Sequence, residues 1–140
     1  MTRIDFYTNA GNKLELVRKL VTKARDAGKC VLIHSPDSRL ATELDAYLWT
    51  APPLSFLPHV RGGHPLARRT PVLIGDNPDE LAAQDVLINL GHEPPAFLGR
   101  FDRLLEVVGG EADEIRDGRR RYRYYQERGY ELVHNDMTGK

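Results

Sequence analysis

The chain has 140 residues, 41% hydrophobic and 29% charged, with 20 Lys and Arg against 20 Asp and Glu. That balance suits one soluble globular domain with its own core, and no apolar run approaches the roughly 20 residues of a membrane-spanning helix. The single cysteine, Cys30, excludes an internal disulfide and fits a reducing cytoplasm, and the start "MTRIDFYTNAGNKLELV" has no signal-peptide pattern.

In chain order, "RIDFYT" (Arg3–Thr8) alternates apolar and polar residues and predicts a strand. After the turn "AGN", Asn12 with Glu15 three positions on gives a helix start of capping-box type. Leu14, Val17, Val21 and Ala24 recur at helical spacing, and Gly28 is placed to end that helix. "KCVLIHS" (Lys29–Ser35) is a nearly continuous apolar run, as in a strand buried on both faces. Ser35 and Pro36 are expected to open a second helix with apolar positions Leu40, Ala41, Leu44, Tyr47 and Leu48. Proline-rich Thr50–Pro71 reads as loop or edge structure. "PVLIG" and "DVLINL" predict two central strands, while "FDRLLEVV" (Phe101–Val108) fits strand or helix. A helix from Glu111 through Glu127, ended by Gly129, and a closing strand at "YELV" complete the pattern. Alternating strands and helices imply a three-layer α/β/α domain with a mostly parallel central sheet, Rossmann-like but without a phosphate loop.

Indeed, neither G-x-x-x-x-G-K-[ST] nor a G-x-G-x-x-G after the first strand occurs, and the Gly-rich "RGGHPLARR" reads as a loop. The five histidines show no metal-ligand spacing. His34, at a strand end, reads as a satisfied histidine at a sheet edge rather than a general base, and Cys30 as a small buried hydrophobe. No nucleophile, base and oxyanion donor assemble, so neither catalysis nor a cofactor is expected.

The charge is unevenly spread. Five acids and no Lys or Arg lie between Asp76 and Glu93, whereas Arg116–Arg128 holds six arginines against two acids. On a helix Arg119 and Tyr122 share a face, in line with Ile115 and Gln126, while Arg116, Arg120 and Arg123 form an adjoining basic stripe. A guanidinium beside a ring and an aliphatic chain suits an acidic peptide with a hydrophobic end. Arginines holding phosphates beside stacking tyrosines suit single-stranded nucleic acid equally well. A third reading has Tyr122 and Tyr125 in the core with solvated arginines. A second aromatic patch, "LWTAPPLSFLPH", places Trp49, Phe56 and Leu57 either in the core or at an interface.

The ordered segments "LW…P..SFLPH", "PV.IG", "D.LINL", "FDRLLEVV" and "RRRYRYYQERGYEL", with "DFY" and "GK.VLI" before them, resemble the chi subunit of bacterial DNA polymerase III over nearly the whole chain. The resemblance implies a non-catalytic accessory subunit of the replicative holoenzyme, cytoplasmic and at the replisome. It implies two partners: the psi subunit of the clamp-loader complex, and the acidic, Phe-terminated tail of single-stranded DNA-binding protein (SSB). Carried over by position, Arg119 grips the tail and Tyr122 packs on its end. Val108 is the hydrophobic position, and His134 a polar contact. A basic position of some relatives falls on Ile115, with Arg116 beside it as the nearest substitute, and Trp49, Phe56 and neighbouring Leu57 correspond to the psi-binding aromatic segment. Direct binding of single-stranded nucleic acid by the same helix is the alternative.

Overall fold

The computed structural model describes residues 2–50, 59–61, 71–81 and 83–138. The described elements alternate: β1 (Arg3–Ala10), α1 (Lys13–Asp26), β2 (Val31–His34), α2 (Ser38–Thr50), β3 (His59–Arg61), β4 (Val72–Ile74), β5 (Val86–Asn89), β6 (Arg103–Gly109), α3 (Ala112–Glu127) and β7 (Glu131–Asp136). They build one seven-stranded sheet in the order β3-β4-β2-β5-β6-β1-β7, with every neighbouring pair parallel. The α/β expectation therefore holds, and the ambiguous "FDRLLEVV" is the strand β6, paired on both sides by β5 and β1.

The inner strands read as unbroken apolar runs because both of their faces are covered. Val31 and Ile33 of β2, Val72 and Ile74 of β4, and Val86 and Ile88 of β5 pack on the side of α1 and α2. Leu32, Leu73 and Leu87, one residue out of phase, join Phe101, Leu104 and Tyr125 on the side of α3. Period-two alternation thus serves two cores.

Helix ends follow local chemistry with two adjustments. The Asn12 side chain accepts from the Glu15 amide at 3.1 Å, but the box is half closed, since the Glu15 carboxylate turns to Arg18 and Tyr47 instead. For α2 the cap is Asp37, not Ser35: its Oδ1 accepts from the amides of Arg39 and Leu40 at 2.9 and 3.3 Å. Gly28 and Gly129 follow α1 and α3 at φ 75° and 78°, the left-handed region that glycine enters without strain.

Two single-residue expectations are corrected by strand order. His34 is not at a sheet edge, because β2 lies third in the sheet; its ring meets Phe97 edge-on at 5.3 Å and Nδ1 is buried without a partner. Burial lowers the pKa of His34 below the ordinary histidine value. Cys30 is only partly buried, at the mouth of β2, where its amide donates to Asp85.

β1 leads into α1 on one face and neighbouring β6 leads into α3 on the other, so their carboxyl ends form the crevice where open α/β sheets commonly take ligands. Here the crevice carries the protein's own ion pair. Lys13 bonds Glu114 across it, and a Cβ added to Gly109 would lie 1.7 Å from Glu114 Oε2. A phosphate arriving there meets a carboxylate already in place, which agrees with the absence of a phosphate loop. No helix among the described residues is long and apolar enough to cross a membrane.

Candidate functional site

The rotation of α3 about its axis decides which arginines face outward. Arg121 and Tyr125, one turn apart, point inward onto β6. Glu106, wholly buried, accepts from Arg121 Nε at 3.1 Å, Tyr125 Oη at 2.5 Å and Asn89 Nδ2 at 3.0 Å. Arg121 Nη1 also reaches the His92 carbonyl at 3.2 Å. Burial raises the pKa of Glu106, and Arg121, Tyr125 and Asn89 oppose that rise. The Tyr125 phenol is pushed up by burial and by the adjacent carboxylate. Each polar partner is matched, so a buried ion pair can be held without an orphaned charge.

With that face anchored, the neighbouring face of α3 borders a pocket of about 350 Å³. Phe6, Val108 and Gly118 lie at its base, Ile115 and Tyr122 along α3, and Arg119, Thr8, Asn9 and His134 at its mouth. Gly118 is required for the close approach of helix to strand: an added Cβ would lie 3.0 Å from both γ-carbons of Val108. Tyr122 is half-buried with its ring edge-on to Phe6, centroids 5.1 Å apart. Arg119 is exposed and bonds to no acid among the described residues.

β1 and β7 shape the far wall. Between Tyr7 and Ala10 the register of β1 against β6 slips, and Asn9 adopts φ 56°, a left-handed conformation asparagine tolerates better than most residues. Its amide donates to Asp136 at 3.0 Å, and Thr8 Oγ1 lies 2.7 Å from His134 Nε2. The Thr138 hydroxyl, then the Asn9 amide, hold the Asp136 carboxyl down at about 2. This side of the mouth is thus ordered by short polar contacts, while Arg119 opposite is uncommitted. Chemically, the arrangement can take an apolar side chain against Phe6, Val108, Ile115 and Tyr122 and an anion on Arg119.

Of the residues singled out by sequence, Val108, Ile115, Arg119, Tyr122 and His134 come together here. Arg116 does not line the pocket; its Nε lies 3.4 Å from Asp117 Oδ1. Arg120 shares that oxygen at 2.9 Å, and His92 Nδ1 meets the other at 3.0 Å. Burial works against the Asp117 charge, but Arg116 and Arg120 keep its carboxyl below the usual range. The six arginines therefore divide: Arg121 is structural, Arg116 and Arg120 converge on Asp117, Arg128 stacks 3.5 Å over Tyr124, and Arg119 and Arg123 are left exposed and unpaired among the described residues. Trp49 lies in the last turn of α2, and Phe56 and Leu57 lie outside the described residues.

Sequence reasoning missed Phe6, Thr8, Asn9 and Gly118. Only Gly118 left a trace, as a lone glycine inside a helical pattern. The β1 residues are remote in sequence, Thr8 and His134 standing 126 positions apart.

The family model described as "DNA polymerase III chi subunit, HolC" matches residues 1–133. The chain is 32% identical over 136 residues to DNA polymerase III subunit chi of Pseudomonas aeruginosa, covering 94% of each chain. It is 31% identical over 127 residues to that of Escherichia coli, covering 90% of this chain and 85% of the relative. With the Haemophilus influenzae protein it shares 30% identity over 119 residues, 84% of this chain and 83% of the relative. On this match the chain belongs to the family of DNA polymerase III chi subunits, replication accessory subunits of that polymerase.

Proposed function

We propose that the chain is a bridge within the replication machinery. Its α3 pocket takes the acidic, Phe-terminated tail of SSB, and the end of α2 takes the psi subunit. The observation that carries the first half is the Arg119 guanidinium, unpaired among the described residues, at the mouth of an apolar pocket. A terminal phenylalanine ring fits against Phe6, Val108, Ile115 and Tyr122, and its carboxylate meets Arg119, with His134 and Thr8 as polar neighbours. A charge-assisted hydrogen bond of this kind contributes about 1.5–3 kcal/mol. A short tail also loses conformational freedom on docking, so affinity near micromolar, roughly −8 kcal/mol, is expected, weakening as salt rises.

The second half draws on topology. In a parallel sheet each helix returns to the end where strands begin. The last turn of α2, with Trp49, therefore lies at the opposite end of the sheet from the carboxyl ends of β1 and β6 beside the α3 pocket. α2 and α3 also cover opposite faces. Two partners held there do not collide, and many SSB tails on one coated strand raise the effective concentration of a weak contact.

A pull-down compares wild-type SSB with SSB lacking its last residues. Capture of the first and loss of the second is expected, and Arg119→Ala should abolish the difference. Equal capture of both, with a steep salt dependence on naked single-stranded DNA, would favour direct nucleic-acid binding instead. Against that alternative, Tyr124, the exposed aromatic ring among the described residues, has one face covered by Arg128 and meets Tyr125 edge-on, leaving little to stack a base on.

A further inference from the structure

On the α1 side of the sheet, away from the α3 pocket, a second groove of about 240 Å³ runs between the latter half of α1 and the starts of β5 and β6. Its apolar surface is contributed by Leu20 and Ala24 of α1, Val86 of β5 and Leu105 of β6, with half-buried Tyr7 beside them. Its charged residues are Lys23, Lys29 and Arg103 against Asp85 and Asp102.

These charges are unequally available. Asp85 is committed, its Oδ2 accepting the Cys30 amide at 2.8 Å. Lys23 and Lys29 are exposed and bond to no acid among the described residues. Arg103 donates through Nη2 to buried Asp5, which Arg3 also contacts at 3.1 Å, and Arg103 Nε has no acceptor. Two ammonium groups and a part-exposed guanidinium, unpaired or under-bonded among the described residues, thus surround an apolar floor, with the exposed Asp102 carboxylate at one edge.

We propose that this groove is a second docking site, for an acidic peptide segment that brings one aliphatic or aromatic side chain. The side chain lies against Leu20, Ala24 and Leu105, and the carboxylates around it meet Lys23, Lys29 and the exposed part of the Arg103 guanidinium, whose Nε is buried beneath. Charge complementarity selects an acidic partner. A nucleic-acid backbone is disfavoured, because the row of cations is short and Asp102 interrupts it. Since α1 and α3 cover opposite faces of the sheet, this groove and the α3 pocket can be filled together.

The test titrates ¹⁵N-labelled full chain with the peptide Ac-Asp-Asp-Phe-Asp-Asp-amide, whose capped end offers no terminal carboxylate to Arg119. Saturable shifts are expected at the Ala24, Lys29 and Val86 amides and at Arg103 Nε–H, both in the wild type and in Arg119→Ala. Lys23→Glu combined with Lys29→Glu should weaken that binding at least tenfold while leaving Tm in place, both side chains being exposed and unpaired. Shifts confined to Arg119 and Tyr122, absence of saturation, or equal affinity in the charge-reversed variant would overturn the proposal.

Discussion

Arg119 with Tyr122 on one side of α3, and Arg121 with Tyr125 on another, are the same two residue types at nearly the same helical spacing. Their surroundings separate them. Arg121 and Tyr125 face β6, where Glu106 and Asn89 form a closed set of hydrogen bonds with them. Arg119 and Tyr122 face the apolar side chains of Phe6, Val108 and Ile115, where no acid among the described residues lines the pocket. A guanidinium opposite a buried carboxylate becomes part of the fold; opposite a hydrophobic hollow it is left available for an anion from outside. The lesson concerns availability: positive charge in a sequence is a partner signal only after the charges the fold itself uses have been subtracted.

The strongest way to break this contrast is Glu106→Ala. It strands a buried guanidinium and two further donors, so unfolding stability should fall by about 3–5 kcal/mol, read as a lower denaturant midpoint. A loss below about 1 kcal/mol would mean that Arg121 does not anchor α3.

Arg119→Ala should do the reverse. Stability stays within about 0.5 kcal/mol of wild type, while affinity for an SSB-tail peptide drops roughly ten- to hundredfold in calorimetry. Arg119→Lys should recover only part of that affinity, because an ammonium lacks the forked geometry of a guanidinium. Full recovery would reduce the role of Arg119 to charge alone.

Gly118→Ala sharpens the boundary between the two faces. Crowding against Val108 costs about 1–3 kcal/mol, and the gain in helix propensity, about 1 kcal/mol, offsets part of it. The net expectation is a small fall in Tm with tail affinity down several-fold, as α3 moves on β6. Unchanged affinity would show that the pocket tolerates the shift.

The smallest effect concerns acid. Hydrogen bonds from Arg18, then Tyr47, hold Glu15 at about 2 instead of its ordinary 4.5. A depressed folded-state pKa stabilises above the unfolded value and is lost as pH falls from about 4.5 towards 2. Glu15→Gln should flatten the acid limb of a thermal-stability profile in that window and leave tail binding at neutral pH unchanged. A wild-type slope in the variant would assign the acid sensitivity elsewhere.

Much of the fold was legible because its signals are short-range. Apolar runs at Val31–Ile33, Val72–Ile74 and Val86–Ile88 require cover on both faces and so imply an inner parallel sheet with helices above and below. Gly28 and Gly129 end helices through their own backbone freedom. The pocket was legible on its α3 side, where Ile115, Arg119 and Tyr122 recur at helical spacing. Its β1 side was not, since nothing local announces that Phe6, Thr8 and Asn9 will lie against residues from the other end of the chain. "FDRLLEVV" stayed ambiguous for a related reason: a seven-residue strand buried throughout its latter part lacks a decisive period.

By itself, then, the sequence determined most of the elements, the glycine ends of α1 and α3 and the concentration of arginine near the carboxyl end, because each depends on a residue and neighbours within about one helical turn. The tertiary structure decided the order of the strands, the removal of Arg121 from the surface, the convergence of Arg116 and Arg120 on Asp117, and the exposure of Arg119 over a hollow. Those outcomes depend on what arrives across space, and a charge is silenced or left available by its desolvation and its opposite partner, neither of which is a local property.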